Sequence, residues 1–246
     1  MTSSLLSIQS LAQPVGDVGG RWMLHPEVLG PCREAGYPNG YAYYVTGRGG
    51  VLGDVDADVI ASAFGFFAPS LVRTMWDKGV VVEGARAAAA RYGAACAEFG
   101  RGRLAGFAGS ERIAELAGRL AAGVDAAGLA LFAGWRAEPL PDDTDGRAYF
   151  LLHVLRELRG SVHLLAVVAA GLTPLEAVLA TGGAAAAERF GWSAPFTEVN
   201  ATARQHAERL TDDLMTRLCS AVLDERELAE LAVLVAAARA HLDAVA

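Results

Sequence analysis

Five ionisable side chains lie close together in a stretch of the chain, residues 147–171, that is otherwise mainly apolar: His153, Arg156, Glu157, Arg159 and His163. At about 100° per residue of an α-helix, four of them fall within an arc of roughly 120°, with Arg159 at its edge. Guanidinium groups bind carboxylate, sulfate or phosphate, and a carboxylate near an imidazole is suited to acid and base chemistry. The spacing therefore predicts one polar strip on one helix, which we call the ionic strip.

The helix that carries the ionic strip is surrounded by leucine and valine on nearly every side, so it is predicted to be buried. Burying a charge costs several kcal/mol per ion unless the charge is paired. Three interpretations are open: the strip is a salt-bridge network, it lines a ligand pocket, or it faces a partner chain. Gly160 lies in the strip and carries no side chain, so that a neighbouring helix or a ligand can approach the backbone there.

A tyrosine- and glycine-rich segment, residues 41–53, supplies further candidates. We expect it to form a flexible loop that folds over the ionic strip, with Trp192 closing the other side; the alternative is that these aromatic residues are core. We assign Glu157 and His163 as candidate catalytic residues. The candidate substrate-binding residues are Arg156, Arg159, His153, Tyr44, Arg48 and Trp192.

The sequence has no metal or cofactor motif. His153 and His163 are too far apart to share one metal ion, since ten residues span about 15 Å of helix. The HExxH, GxSxG, GxGxxG and P-loop patterns are absent. We therefore expect neither a metal nor a cofactor.

The rest of the chain reads as successive helices rich in alanine and leucine. The clearest helix starts are two capping boxes, Thr173 with Glu176 and Asp224 with Glu227, and Pro195 is predicted to start a long helix. The turn at residues 38–40 predicts a short hairpin or an extended segment after it. The whole pattern predicts an all-α, irregular bundle of about nine or ten helices with little or no sheet.

An acidic, proline-rich segment at residues 138–146 is the best internal boundary. It separates an N-terminal helical part, residues 21–137, from a C-terminal helical part, residues 147–246, that is expected to share one core with it. Residues 1–20 are expected to form a flexible arm.

Charge and composition restrict the partners that we expect. The net charge of −7 argues against a nucleic-acid partner. No apolar run is long enough to span a membrane, and the N-terminus lacks the features of a signal peptide. The three cysteines form no CxxC pair, which favours a reducing cytoplasm. We expect a small, anionic substrate and a homologous or small protein partner, in a homomer or heteromer.

Three ordered blocks within residues 25–195 resemble an uncharacterised actinobacterial all-helical family with YFxGRxAPLG and LREHRGDGH motifs. The blocks are HPEVLGPCREAGYPNGYAYYVTGRGGVLG and the residues that follow it to Trp76, then LRELRGSVHLLAVVAAGLTPLEAV, and FGWS. Members usually continue into a winged-helix-like part, which two long helices replace here; this departure argues against a DNA-binding role. Leu158 and Ser161 stand where the family has His and Asp.

The chain is also similar, in size and composition, to the cofactor-free proteins that form aziridine rings with loss of sulfate in azinomycin-type biosynthesis. That resemblance implies a cofactor-independent lyase or cyclase of actinobacterial antibiotic biosynthesis. Its arginines would hold the sulfate leaving group, and Glu157 would keep an amine nucleophilic. The alternatives are a non-catalytic small-molecule-binding or regulatory protein, and a structural subunit of a heteromer.

Overall fold

The computed structural model describes residues 2–196 and 198–245, and in these residues the chain forms twelve α-helices and no strand. The all-α prediction is confirmed, with more helices than the nine or ten expected. The helices are α1 (Thr2–Gly20), α2 (Pro26–Leu29), α3 (Gly40–Gly49), α4 (Ala57–Phe64), α5 (Pro69–Glu83), α6 (Ala85–Leu104), α7 (Ser110–Gly123), α8 (Ala130–Arg136), α9 (Thr144–Ala169), α10 (Pro174–Arg189), α11 (Ala201–Ser220) and α12 (Glu225–Ala244). Two short 3-10 segments, Gly30–Cys32 and Gly50–Leu52, extend the connections after α2 and α3.

The helix α9 is the centre of the fold, and it carries the ionic strip. It packs against α1, α6, α7, α8 and α11. Large aromatic side chains fill the space around it, and Trp22, Trp135, Tyr92 and Tyr149 are fully buried. Because apolar residues occur on nearly every side of α9, the helix can be surrounded in this way.

Residues 2–20, where the sequence indicated a flexible arm, form the helix α1, which packs on α9 and α12. Its buried apolar side chains, Ile8, Leu11, Val15 and Val18, recur every three or four residues. That spacing places them on one face of a helix, and the face is covered by the core.

The hairpin and the flexible loop expected within residues 38–53 are wrong, because this segment contains α3 and a 3-10 turn. Asn39 caps α3 by accepting a hydrogen bond from the amide of Ala42 at 2.9 Å. The glycines serve close packing instead of flexibility: a Cβ on Gly50 would lie 2.1 Å from the carbonyl oxygen of Ala85. The high glycine content therefore marks a tight helix contact.

Both predicted capping boxes are present, at Thr173 and at Asp224. The predicted helix start at Pro195 is wrong. Asn200 caps α11 instead, since its side-chain oxygen accepts hydrogen bonds from the amides of residues 202 and 203, each at 3.1 Å.

Within the described residues, no single helix is long and apolar enough to cross a membrane. The helices α9 and α10 reach that length and apolar character only when taken together, and the chain bends by 111° between them.

Candidate functional site

Arg48 and Glu157 form a bidentate ion pair in the interior. Nε and Nη2 of Arg48 each donate a hydrogen bond to one carboxylate oxygen of Glu157, at 2.8 Å. Burial alone would raise the pKa of Glu157, but the charges of Arg48 and Arg156 outweigh it and hold that pKa well below its usual value. Burial alone would likewise lower the pKa of Arg48, and the Glu157 carboxylate reverses this. The pair is therefore charged on both sides.

Two neighbours complete the hydrogen bonding of this pair. Nη1 of Arg156 donates to Oε1 of Glu157 at 2.7 Å, and Nη1 of Arg48 donates to the hydroxyl of Tyr44 at 3.1 Å. We call Arg48, Arg156 and Glu157 the arginine–glutamate cluster. It holds two guanidinium groups and one carboxylate, so one positive charge is in excess. Glu157, the candidate catalytic carboxylate, acts here as the shared acceptor of both arginines.

His153 lies on the core side of the cluster and is fully buried. Its Nδ1 is 3.2 Å from the carbonyl oxygen of Gly19, and its ring meets the rings of Trp22 and Trp135 edge to face. Burial lowers the pKa of His153 to about 4, against the opposing effect of the Glu157 carboxylate. The imidazole is therefore neutral at pH 7 and packs as part of the core.

His163 lies further along α9, with Nδ1 at 2.8 Å from the hydroxyl oxygen of Thr211. The Thr211 hydroxyl donates its proton to the carbonyl of Ala207, so it accepts the bond from His163 and Nδ1 carries the proton. Burial lowers the pKa of His163, against the opposing charge of the Glu208 carboxylate. The neutral ring stacks on Phe66 at a centroid distance of 5.7 Å.

A cavity of about 490 Å³ lies between the turn after α4, the middle of α9, and α10. Its apolar lining includes Phe64, Phe66, Phe67, Leu164, Val178 and Phe190. Its polar lining includes Arg48, Arg156, Arg159, His163, Arg189 and Glu208. Gly160 also lines it, and a Cβ built there meets nothing within 4 Å. Gly160 therefore opens onto the cavity, and no neighbouring helix fills that space.

Of the predicted site residues, the structure brings Arg48, Arg156, Arg159 and His163 to the cavity. Glu157 and Tyr44 lie behind Arg48. His153 and Trp192 are not among the lining residues. The indole of Trp192 instead donates a hydrogen bond to the carbonyl of Phe66 at 2.8 Å and so supports the cavity wall.

Several lining residues were missed by the sequence analysis. Glu208 on α11 faces Arg159, with Oε2 at 3.8 Å from Nη2. Arg189 ends α10, and Phe66 and Phe67 lie in the turn before α5. The cluster of phenylalanines at residues 64–67 was the one local signal for an apolar wall, while no local pattern relates Glu208 to α9. No group of three or more His, Cys, Asp or Glu in the described residues is arranged to hold a metal ion.

Two pairs of consecutive helices contribute to the cavity or lie next to it; of the first pair, the end of α4 and the turn after it line the cavity. The first helix pair is α4 and α5, joined by the four residues 65–68. Gly65 has φ +57°, a left-handed conformation suited to glycine, and Pro69 occupies the first turn of α5. Buried Phe64 and Trp76 hold the two helices against the core.

The second helix of this pair, α5, exposes a polar face. Ser70, Arg73, Thr74, Asp77 and Lys78 are all exposed and recur at intervals of three and four residues. They form one continuous stripe, and Lys78 is the single lysine of the sequence.

The second helix pair is α9 and α10, which are bent by 111° and joined by residues 170–173. Gly171 in the turn has φ +77°, and the Thr173 capping box begins α10. Two helices at about 90–120° joined by three or four residues that contain glycine have the geometry of a helix-turn-helix. Residues 174–188 include no lysine or arginine.

A comparison with protein families matches the chain to a helix-turn-helix family over residues 8–195. This match spans both helix pairs. No curated protein and no solved structure matches the chain. The resemblance to an uncharacterised actinobacterial family stays a prediction.

The family match corrects the functional predictions. The expected cofactor-independent enzyme of antibiotic biosynthesis, with lyase or aziridine-forming activity, is wrong, because a helix-turn-helix family indicates a regulatory, DNA-binding role. The expected exclusion of nucleic acid is wrong for the same reason. Net charge misled there because it averages over the whole surface, whereas DNA contact depends on one local face. Since the match covers most of its length, the chain belongs to the helix-turn-helix family.

Proposed function

We propose that the protein is a regulatory DNA-binding protein, and that the first helix pair makes the contact, with α5 in the major groove. The observation that carries this proposal is the exposed polar stripe of α5, formed by Ser70, Arg73, Thr74, Asp77 and Lys78. In helix-turn-helix proteins the second helix lies in the major groove and its N-terminal residues contact base edges.

The residue types of the stripe suit this role. Arg73 can donate two hydrogen bonds to one guanine, and the hydroxyls of Ser70 and Thr74 can contact several bases. Lys78, further along α5, is suited to a phosphate. Residues in the first two turns of α5 would therefore read the base sequence. Lys78, in the third turn, would position the helix on the DNA backbone.

The second helix pair is less suited to contact DNA, although its angle of 111° fits the standard motif. The first-turn carboxylate of α10, Glu176, already accepts a hydrogen bond from the amide of Thr173 at 2.7 Å. Ala177 and Val178 face the cavity. The one basic residue of α10 is Arg189 at its C-terminal end, and no lysine or arginine lies over residues 174–188 to contact a phosphate.

Arg73 forms an ion pair in the free protein, but this pair does not prevent it from contacting DNA. It forms an ion pair with Asp58 of α4, and both side chains are at least half exposed. Exposed ion pairs contribute little to stability, so a phosphate or base can replace Asp58 at small cost. Because the chain has a net charge of −7, we expect weak non-specific binding and a dependence on sequence.

A DNA-binding role would agree with the cytoplasmic location expected from the sequence. The three cysteines, Cys32, Cys96 and Cys219, are free and buried. Free thiols are usual in a reducing compartment.

The proposal is tested by selecting duplexes that the protein retains from a random-sequence library, and then measuring fluorescence anisotropy with a labelled, enriched duplex. Arg73→Ala should weaken binding about tenfold or more, since a bidentate base contact is worth about 1–3 kcal/mol. The matched control is Arg217→Ala, which removes an exposed arginine from α11 and should change little. Failure to enrich any duplex, or an equal loss in both variants, would overturn the proposal.

A further inference from the structure

We infer that the cavity between the two helix pairs is a binding site for a small organic anion with an apolar body, and that this ligand regulates the first helix pair. The regulatory half of the inference rests on the proposed function. The binding half stands on the cavity alone.

The charge of the cavity indicates an anion. Four guanidinium groups line it, those of Arg48, Arg156, Arg159 and Arg189. Two carboxylates oppose them: Glu157 behind Arg48, and Glu208 beside Arg159. Two positive charges are therefore in excess at this site in a chain whose net charge is −7.

The arginines differ in how far they are already engaged. Arg48 uses Nε, Nη1 and Nη2 on Glu157 and Tyr44, so it supplies charge more than new hydrogen bonds. Arg159 is 3.8 Å from Glu208, longer than a hydrogen bond. The exposed Arg189 has no ion pair to any described residue. These last two guanidinium groups are the natural donors to a ligand anion.

The rest of the lining indicates an apolar body. Phe64, Phe66, Phe67 and Phe190 supply aromatic surface on the side of the first helix pair. The volume of about 490 Å³ lies within the range of about 300–1,000 Å³ that is usual for small-molecule pockets. A free inorganic ion would leave most of this surface uncovered, so an organic anion fits better.

Hydrogen bonds tie the cavity wall to the turn before α5. The amide of Ala68 donates to the carbonyl of Phe190 at 2.8 Å, and the indole of Trp192 donates to the carbonyl of Phe66 at 2.8 Å. A ligand held by Arg189 and the phenylalanines would therefore touch both the end of α10 and the turn that positions α5. Such a ligand changes the affinity for DNA if the turn can adopt two conformations and the ligand binds one of them more tightly than the other.

The binding half is tested by isothermal titration calorimetry with 2-naphthoate and with its neutral analogue 2-naphthamide, in the absence of DNA. We expect naphthoate to bind and the amide to bind about tenfold more weakly or not at all, since hydrogen bonds to a charged group are worth about 1.5–3 kcal/mol. Gly160→Leu should fill the cavity and abolish naphthoate binding. Its control is Gly16→Leu, since Gly16 is also exposed to open space within a helix, α1, that does not line the cavity.

Three results would overturn the binding half: no naphthoate binding at millimolar concentration, equal binding of the amide, or naphthoate binding that is unchanged in Gly160→Leu. The regulatory half is tested by repeating the anisotropy titration with and without naphthoate. A shift in DNA affinity that Gly160→Leu removes supports regulation, and an unchanged affinity overturns it. If no duplex is enriched, the proposed function and the regulatory half both fail, while calorimetry still decides whether the cavity binds an anion.

Discussion

Arg48 on α3 and Glu157 on α9, 109 residues apart in the chain, share two hydrogen bonds of 2.8 Å in the interior of the protein. The backbone carbonyl of Arg48 also accepts a hydrogen bond from the indole of Trp135 on α8, at 3.2 Å. This one arginine therefore joins three helices, and it sets its guanidinium at the wall of the cavity.

Glu157→Gln should destabilise the protein by about 3–5 kcal/mol, because it leaves Arg48 buried without its counter-ion. Chemical denaturation measures this change. The control is Glu230→Gln, which breaks the exposed pair with Arg112 and should leave the free energy of unfolding nearly unchanged. Equal effects in the two variants would contradict the account of a buried pair.

The double variant Arg48→Met with Glu157→Leu should recover most of that stability, because replacing a whole buried ion pair with apolar residues is often neutral or stabilising. Chemical denaturation again provides the measurement. A double variant as unstable as Glu157→Gln would show that the pair has structural roles beyond neutralising Arg48. Naphthoate binding should change little, since the double variant removes one positive and one negative charge and leaves the excess of two positive charges at the site.

Stability should fall as the pH is lowered from 7 to 5, because the unfolded chain then binds a proton at His153 that the folded protein excludes. The folded pKa of His153 is lowered to about 4, against about 6.5 when unfolded, so this residue should contribute a loss of roughly 2 kcal/mol over that range. His163, whose pKa is also lowered, acts in the same direction. Glu157 acts at lower pH, since its stabilisation is lost only as the pH falls below the usual carboxylate pKa.

Denaturation curves at the two pH values, for the wild type and for His153→Gln, separate these contributions. The variant should lose most of the pH dependence while keeping a hydrogen-bond donor toward the carbonyl of Gly19. An unchanged pH dependence would show that His153 is not the group responsible.

Gly160→Ala should stabilise the protein by up to about 1 kcal/mol, because alanine favours a helix interior over glycine and the new Cβ meets nothing within 4 Å. Gly50→Ala should destabilise it, since that Cβ would lie 2.1 Å from the carbonyl oxygen of Ala85. Thermal unfolding of both variants measures the contrast. Destabilisation by Gly160→Ala would mean that the space beside Gly160 is occupied.

The sequence predicted the parts of the site that lie on one helix. The positions of Arg156, Glu157, Arg159 and His163 on α9 follow from helical periodicity alone. The capping box at Thr173 could also be predicted from the sequence, because its two side chains are only three residues apart.

What the sequence did not predict depends on contacts between distant segments. Nothing local shows that Arg48, and not Arg159, is the main partner of Glu157. Glycines at residues 47–53 indicated a loop, since glycine is a poor helix former. Gly47 instead lies in α3, packed closely against Tyr92, and Gly50 lies in the 3-10 turn, packed against Ala85. The net charge of −7 describes the whole chain, so it did not indicate the local polar face on α5.

Asp58→Asn should strengthen DNA binding, because it removes the carboxylate that competes with DNA for Arg73. Anisotropy with the enriched duplex measures the change, expected to be a few-fold at low salt and smaller at high salt. Asp125→Asn, on the connection between α7 and α8, is the control. A weaker complex with Asp58→Asn would place Asp58 among the DNA-contacting groups, against this account.

The contact between α5 and DNA is tested most directly by amide hydrogen exchange of the protein with and without the enriched duplex. We expect DNA to slow exchange over residues 65–83, the turn and the helix α5. Little change is expected over α10 and α11. Protection confined to residues 174–189, with none in α5, would contradict the proposal that the first helix pair contacts DNA.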